Sequence, residues 1–354
     1  MKTVYVLGAG FSKEAGLPLA NEFFSAMLDV LGSAWNLSPS ILSPLNETLR
    51  FHNEITKNIL TSPIGVDDIE YVFSLIAADS LGRNHHKLKR FEMQIAIAYT
   101  LAIKTRDIYD CDPKIASDYA RWLSIMLGDV INDDLGNTSI ITLNYDDIVE
   151  RSCQRNKMSY NHGFVSESNP YSLRRDNPSF VENINLVSGF DTNSLPIYKL
   201  HGSVRWLRVK SGDNQPGLMI GNPLSHLTGD ELTFEPARYE ILIEPPVFGK
   251  SLSDPYLALQ WARAHDALRN AHRIVIIGYS FPKTDQHMLF LLISALRNNR
   301  VGKSCIIVNP EAEKSPEING IAGRLYDLHI FSELETLPIS AREFFEDPAY
   351  QGMR

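Results

Sequence analysis

The sequence predicts an α/β protein with a Rossmann-like parallel sheet, helices on both faces of the sheet and a helical insertion module. Short apolar runs that alternate with helical patterns favour a parallel sheet that is buried on both faces. The first run, Val4-Tyr5-Val6-Leu7, has the length of a strand and is followed directly by Gly8-Ala9-Gly10. With 354 residues, of which 44% are hydrophobic and 21% charged, the chain has enough apolar material for a large core.

The predicted elements divide the chain into three parts. Helical patterns cluster at residues 22–31, 67–78, 91–104 and 115–131. Strand-like runs follow at residues 139–143, 197–200, 239–243, 273–277 and 304–308, and helical patterns at 255–270 and 285–298 separate the last three. We therefore assign residues 1–20 to the first strand and glycine loop, 21–135 to the helical insertion module, and 136–354 to the remainder of the sheet domain.

Composition excludes several classes of protein. A formal charge of −8 gives no general attraction to phosphate backbones, so we expect no direct nucleic-acid partner. The apolar run at residues 4–7 is too short for a signal peptide, and no run approaches the roughly 20 apolar residues that cross a bilayer. The three cysteines, Cys111, Cys153 and Cys305, are far apart and suggest neither disulfides nor a metal site. We expect a cytoplasmic protein without a membrane partner.

The glycine loop after the first strand favours a nucleotide site. Gly8 and Gly10 permit close approach of a pyrophosphate to backbone N–H groups at the start of a helix predicted near Ser12. The dinucleotide fingerprint GxGxxG requires a third glycine where this chain has Lys13, which argues against an ordinary dehydrogenase. A tight turn that binds no ligand is the alternative.

Five motifs resemble those of the sirtuin family and occur in the same order. Residues 8–18, Gly-Ala-Gly-Phe-Ser-Lys-Glu-Ala-Gly-Leu-Pro, resemble the opening GAGxSxxxGIP pattern. Each later motif follows a predicted strand: Thr142-Leu143-Asn144-Tyr145-Asp146, Leu200-His201-Gly202-Ser203, Gly278-Tyr279-Ser280 and Val308-Asn309-Pro310. They are similar to the family's TQNxD, LHGS and GTS segments and to a later strand-end asparagine. The resemblance covers residues 1–20 and 136–312 but not the helical module.

The resemblance implies a site for NAD+, which is the substrate in this family. By position it makes His201 the catalytic base and places Asn144 and Asp146 at the nicotinamide ribose and carboxamide. It also assigns nucleotide binding to three groups of residues. The glycine-loop residues at the pyrophosphate are Gly8, Ala9, Gly10, Phe11 and Ser12. Gly278 and Ser280 are assigned to the phosphate or adenosine side, and Asn309 to the adenosine ribose.

These residue types suit cleavage of the bond between nicotinamide and ribose. The breaking bond develops oxocarbenium character, which polar groups at the ribose carbon stabilise more than they stabilise the ground state. Asn144 supplies such a group without adding charge. A neutral imidazole at His201 can take a proton from a ribose hydroxyl or from water, which contributes on the order of 10²–10⁴-fold in rate.

Simpler structural roles are alternatives for several residues. Asn144, Asp146 or Asp147 can cap the helix that is predicted after them, and Asp285 is expected to cap the helix that it begins. Asn309, which precedes a proline, can be a turn residue only.

Two departures from the deacylating sirtuins favour hydrolysis of NAD+ to nicotinamide and ADP-ribose. The deacylases follow their GIP motif with Asp-Phe-Arg, whose phenylalanine shields the ribose intermediate from water, whereas this chain has Leu19-Ala20-Asn21. No cysteine occurs between His201 and Ile274, where the deacylases carry a zinc ribbon. We therefore expect neither zinc nor the groove for acyl-lysine that the ribbon helps to frame.

The chain resembles zinc-free bacterial sirtuin-like NADases, which are typical effectors of anti-phage defence. This resemblance implies that the chain is an effector that depletes NAD. That resemblance suggests a homo-oligomer that works with a separate partner, such as a motor ATPase. We expect the isolated protein to be restrained, with the helical module or the loop at residues 211–229 over the pocket. The alternatives are a non-catalytic sensor of NAD or ADP-ribose, and ADP-ribose transfer, cyclisation or protein deacylation.

Overall fold

Eleven strands occur in the part of the chain that the computed structural model describes. The described residues are 1–33, 39–58, 68–79, 90–128, 135–164, 179–181, 194–209, 218–220, 239–244, 254–283, 285–297 and 303–353. The strands are β1 (Thr3–Leu7), β2 (Thr138–Thr142), β3 (Tyr160–Asn161), β4 (Ser179–Val181), β5 (Leu195–Lys199), β6 (Gly202–Val209), β7 (Leu218–Ile220), β8 (Tyr239–Ile243), β9 (Arg273–Ile277), β10 (Ser304–Val308) and β11 (Glu333–Leu337).

Seven of these strands form a parallel sheet at the centre of the fold. Their order is β11-β10-β9-β1-β2-β5-β3, and each neighbouring pair is parallel. The sheet winds outward in opposite directions from β1, which makes the carboxyl end of β1 the switch point where such sheets bind ligands. The predicted Rossmann-like parallel sheet is confirmed.

The helices of the described residues lie mainly before β2 and after β8. They are α1 (Ala9–Ser12), α2 (Phe23–Ser33), α3 (Pro39–Asn58), α4 (Ile69–Asp79), α5 (Arg90–Lys104), α6 (Pro113–Leu127), α7 (Ile148–Arg155), α8 (Pro255–Asn270), α9 (Gln286–Leu296), α10 (Pro316–Asp327) and α11 (Ala341–Glu346). Helix α6 ends earlier than the predicted residue 131, because Gly128 takes a positive φ of 71° after the last turn. No described helix is long and apolar enough to cross a bilayer.

Side chains alternate along the central strands and feed two separate cores. Tyr5 and Leu7 of β1 point to the face that packs against α2, α3, α5 and α6. Val4 and Val6 point to the opposite face, which packs against α8, α9 and α10. The prediction of helices on both faces is therefore confirmed.

The strand at residues 239–243 belongs to a different sheet from the one expected. Together β4, β7, β6 and β8 form a second, antiparallel sheet, in which β8 pairs with β6. A short apolar run does not reveal the direction of its partner, so its placement in the parallel sheet was wrong. Of the loop predicted at 211–229, only residues 218–220 lie within the described residues, and they form β7.

Three glycines bring the loops after β1 and β9 into backbone contact. The Gly10 amide donates to the Gly278 carbonyl at 2.8 Å. A Cβ on Gly278, which has a φ of 66°, would lie 2.3 Å from the Phe11 nitrogen, and one on Gly8 would lie 2.6 Å from the Gly278 oxygen. The helix predicted near Ser12 is a single turn, Ala9–Ser12, at this junction. Side chains at these glycine positions would push the two loops apart.

We predict that Gly278→Ala lowers the free energy of unfolding by about 1–3 kcal/mol from backbone strain, before any cost of the steric clash. Gly320→Ala is the matched control, because a Cβ at this α10 position meets nothing within 4 Å and alanine is the better helix former. Urea denaturation of both variants checks the expectation. Equal stabilities of the two variants would contradict it.

Candidate functional site

The carboxyl ends of the central strands meet in register at one edge of the sheet. Leu7 pairs with Thr142 on one side and Ile277 on the other, Thr142 pairs with Lys199, and Ile277 pairs with Val308. The loops that follow β1, β2, β5, β9 and β10 therefore all leave the sheet at the same edge. These loops carry the five motifs that the sequence analysis singled out.

Ser12, Asn144 and Asp146 form one buried hydrogen-bond network. The Ser12 hydroxyl donates to Asp146 Oδ2 at 2.8 Å. Asn144 Nδ2 donates to Ser12 Oγ at 3.0 Å and to the Gly8 carbonyl at 2.9 Å. Both amide hydrogens of Asn144 thus have protein acceptors, and its Oδ1 is the atom that suits contact with a ligand.

His201 lies on the turn between β5 and β6 and is 2% exposed. Its Nδ1 lies 3.1 Å from the Glu244 carbonyl oxygen, and its Nε2 lies 3.4 Å from Asp285 Oδ2. A carbonyl oxygen only accepts hydrogen bonds, so Nδ1 carries the proton and Nε2 is the basic nitrogen of the neutral ring. The rings of Trp261 and Tyr145 meet the imidazole edge-on, with centroids 6.1 and 6.4 Å away.

The glycine loop uses several of its backbone donors within the protein. The amides of Gly8 and Gly10 donate to carbonyl oxygens of β9 and the loop after it, and the Phe11 amide donates to the Gly8 carbonyl. The Phe11 ring packs edge-on against Tyr119 of α6, with centroids 5.2 Å apart. Ala9 is exposed. Pyrophosphate binding by this loop stays a prediction, and the Phe11 side chain serves the core.

The motifs after β9 and β10 are tied to each other. Asn309 Nδ2 donates to the Tyr279 carbonyl at 3.1 Å, and its Oδ1 accepts from the Glu311 amide at 2.9 Å. The expected turn role of Asn309 is therefore present, and contact with an adenosine ribose stays a prediction. Ser280 is exposed beside the partly buried Gly278, and their phosphate-side roles are likewise predictions.

Comparison with known proteins decides the family. The model of the SIR2-like domain matches residues 138–322, which is just over half of the chain. The chain belongs to the SIR2-like family. The predicted sirtuin-like resemblance is confirmed, and membership implies an NAD-dependent activity. No curated protein shows a significant match to the chain.

Solved sirtuin structures resemble this SIR2-like chain distantly. Sir2Tm bound to a propionylated peptide shares 14% identity over 99% of this chain and 93% of its own, with a TM-score of 0.42. The complex Sir2-p53 peptide-NAD+ shares 14% identity over 99% of this chain and 93% of its own, with a TM-score of 0.41.

Two acidic residues of the SIR2-like chain precede helices without capping them. Asp147 precedes α7, and its side chain makes no cap bond but pairs with Arg151 at 2.8 Å. Asp285 precedes α9, and its side chain also makes no cap bond but accepts a hydrogen bond from Tyr279 Oη at 2.8 Å and faces His201. Asp285 stands at the predicted N-cap position of α9, but the expected cap bond from its side chain is absent.

Helix α5, which precedes β2, contacts Glu244, the residue that holds His201. Glu244 contributes its carbonyl to the imidazole, and its amide donates to the His201 carbonyl at 2.8 Å. The Glu244 side chain forms an ion pair with Arg90 of α5, while Gln94 of the same helix donates to the Ile243 carbonyl at 2.7 Å. The orientation of His201 therefore depends on α5 as well as on the sheet.

The two tyrosines beside His201 stay uncharged at neutral pH. Burial raises the pKa of Tyr145 well above its ordinary value, and the carboxylates of Glu70 and Asp285 add to this shift. Burial and the Asp285 carboxylate likewise raise the pKa of Tyr279 well above its ordinary value. Both phenols therefore keep their protons, and Tyr279 remains a hydrogen-bond donor to Asp285.

A buried set of charges lies beneath the Ser12–Asn144–Asp146 network. Lys199 Nζ donates to the Asp146 carbonyl at 2.6 Å and lies 3.3 Å from Glu150 Oε1. His162 Nε2 lies 3.8 Å from the same Glu150 oxygen. Burial raises the pKa of Asp146 and lowers the pKa of His162 to about 4. The neutral form of His162 is therefore the stable one in the folded chain.

Within the described residues, no three His, Cys, Asp or Glu side chains are grouped to hold a metal. The expected lack of zinc remains a prediction. Cys153 and Cys305 are buried, and Cys111 is exposed.

The lowered pKa of His162 predicts that the protein loses stability in mild acid. Its pKa is about 6.5 in the unfolded chain and about 4 when folded, so its contribution is full above pH 6.5 and falls as the pH drops towards 4. We expect the free energy of unfolding to fall by about 2 kcal/mol between pH 7 and pH 5 through this residue. His162→Gln should lack this part of the pH dependence.

Urea titrations of the wild type and His162→Gln at both pH values measure the difference. His265→Gln is the control, because this histidine is partly exposed on α8 and its variant should follow the wild type. The same fall in His162→Gln as in the wild type would exclude His162 as its source.

Proposed function

We propose that this SIR2-like chain hydrolyses NAD+ at the bond between nicotinamide and ribose, giving nicotinamide and ADP-ribose. The observation that carries the proposal is the Ser12–Asn144–Asp146 network at the same sheet edge as His201. The turn holding His201 follows β5, which pairs directly with β2, and the ring of Tyr145, which lies between Asn144 and Asp146 in the chain, meets the imidazole edge-on. A carboxamide and a base thus lie beside the switch point of the sheet.

Asn144 acts on the charge that develops when the bond breaks. The bonding electrons leave with nicotinamide, and the ribose carbon becomes electron-deficient. With both Nδ2 hydrogens held by Gly8 and Ser12, the negative end of the amide dipole at Oδ1 is the group available to this carbon. A fixed dipole favours the transition state without a prior rearrangement.

His201 supplies the base for the attacking oxygen. Its Nε2 accepts a proton from water or from a ribose hydroxyl, while Nδ1–H stays on the Glu244 carbonyl. The water oxygen forms the new bond to the ribose carbon and releases one proton overall. Asp146, which accepts a hydrogen bond from Ser12, orients the attacking water and the ribose from the loop after β2.

Hydrolysis is favoured over deacylation by two features of the sequence. Ala20 stands where the deacylases have a shielding phenylalanine, and the region from His201 to Ile274 lacks the cysteines of a zinc ribbon. Water therefore meets less obstruction, and no frame for an acyl-lysine groove is expected. Transfer or cyclisation of ADP-ribose would require a nucleophile other than water.

The biological role that this reaction suggests is NAD depletion in anti-phage defence. An unregulated NADase is toxic, and here His201 is 2% and Asn144 9% exposed. We infer that the isolated chain is restrained and that a homo-oligomer, with a separate partner such as a motor ATPase, opens the site. Loss of cellular NAD+ on infection, only when the partner is present, is the expected signature.

We predict that His201→Ala lowers nicotinamide release by on the order of 10²–10⁴-fold, and that Asn144→Ala lowers it by on the order of 10²-fold or more. Mass spectrometry of the products should show ADP-ribose with the wild type. His265→Ala, on the partly exposed face of α8, should keep wild-type activity.

Catalysis by His201 and Asn144 is excluded if both variants release nicotinamide at the wild-type rate. Acetyl-ADP-ribose formed from an acetylated peptide would establish deacylation instead, and NAD+ binding without turnover even when the partner is present would establish a sensor.

A further inference from the structure

Asp285 is held against His201 by contacts that its position in the sequence does not suggest. It precedes α9, where an aspartate ordinarily caps the helix, yet its side chain makes no cap bond and is 3% exposed. Its Oδ2 accepts a hydrogen bond from Tyr279 Oη at 2.8 Å and lies 3.4 Å from His201 Nε2. Burying a carboxylate is costly unless it meets charge or hydrogen-bond donors. The carboxylate is thus directed into the candidate site.

The hydrogen bonding of the ring gives this contact a chemical consequence. Because Nδ1–H is directed to the Glu244 carbonyl, a proton taken up by His201 must go to Nε2. The resulting imidazolium carries its positive charge beside Asp285, because Nε2 lies 3.4 Å from Asp285 Oδ2 without a hydrogen bond between the two atoms. At 3.4 Å the two atoms are farther apart than in a charge-assisted hydrogen bond of about 2.7–2.9 Å. The neutral ring therefore has space to draw closer as it gains charge.

We propose that Asp285 is a positioning residue for the NAD+ cleavage put forward above, holding the His201 ring and stabilising the imidazolium formed when Nε2 takes a proton. In that step the O–H bond of a ribose hydroxyl or water breaks, and an Nε2–H bond forms. The positive charge then rests on the ring beside the carboxylate. The proton returns to solvent once the products leave. This inference rests on the proposed function for its role in turnover.

His162 provides an internal contrast within the same chain. It too is buried, with Nδ1 3.0 Å from a backbone carbonyl, that of Ile197, and with Nε2 3.8 Å from a carboxylate of Glu150. Burial is the main cause that lowers the pKa of His162, and the Nζ of Lys199, 3.3 Å from that carboxylate oxygen, also opposes protonation of the ring. Asp285 instead accepts a hydrogen bond from the neutral phenol of Tyr279, which adds no positive charge beside His201.

Several other titratable side chains lie near His201. Tyr145 and Tyr279 keep their protons through the neutral range, because burial raises the pKa of each well above its ordinary value. The Glu244 side chain is paired with Arg90. Glu70 and Asp68, on and just before α4, contribute negative charge at Tyr145. These carboxylates act in both the wild type and a variant of Asp285, so their effect cancels in the comparison.

The test is a pair of measurements on the wild type and Asp285→Asn, which keeps the shape and the hydrogen bond to Tyr279 but loses the charge. NMR of ¹³C-labelled histidine in the protein without NAD+ gives the pKa of His201, with the signal assigned by its loss in His201→Ala. We expect Asp285→Asn to lower that pKa by about one unit or more. The kcat for nicotinamide release should fall about 10–100-fold with little change in KM. In the pH profile of nicotinamide release, the acid limb should move to lower pH.

Asp266→Asn is the matched control, an exposed aspartate on α8 whose loss should alter neither measurement. If Asp285→Asn does not fold, the wild type alone decides, since the His201 pKa should lie well above that of His162 in the same spectra. An unchanged His201 pKa in Asp285→Asn, or a wild-type pKa as low as that of His162, overturns the role of Asp285. Absence of nicotinamide release from the wild type, together with no loss of NAD+ in infected cells that contain the partner, counts against the proposed function, and the NMR titration still decides the His201–Asp285 interaction.

Discussion

The backbone hydrogen bond from Gly10 to Gly278 is the contact on which the candidate site depends. It joins the loops after β1 and β9 at a distance that no Cβ would allow. With the first loop fixed there, the Gly8 carbonyl and the Ser12 hydroxyl lie where the Asn144 amide can donate to both. The glycines of this SIR2-like motif therefore serve the position of a carboxamide across the sheet, in addition to any approach of a pyrophosphate.

His201 depends on a second set of constraints that come from outside the parallel sheet. Its carbonyl and ring are both held by Glu244, which follows the antiparallel strand β8 and is paired with Arg90 of α5. Its Nε2 faces Asp285 at the start of α9. Three parts of the fold thus meet at one imidazole, so a shift of α5 against the sheet would change the orientation of the base. This geometry gives the helical segment before β2 a physical route to control of the site.

Much of the fold and part of the site follow from local sequence, because parallel strands must end at one edge. The order of apolar runs predicts the sheet, and the position of each motif after a strand predicts that the motifs share one edge, but the hydrogen bonds that join Ser12, Asn144 and Asp146 were not predicted. The contact of Asp285 with His201 was not predictable, since it depends on how α9 packs across the sheet, and capping is the usual role for aspartate at that position. The direction of β8 was missed for a related reason: pairing is a property of two distant segments, while hydrophobic pattern describes only one.

Burial of the site has a consequence for how it can work. Ser12, Asn144, Asp146 and His201 are all at most 9% exposed, and each makes hydrogen bonds to groups within the protein. Replacing those internal bonds by bonds to a ligand would cost about as much as it returned. The geometry avoids that exchange, because Asn144 can offer Oδ1 and His201 can offer Nε2 while the bonds from Nδ2 and Nδ1 stay in place. For the proposed hydrolysis, the structural change needed is therefore one of access to these two atoms, and the network can stay in place.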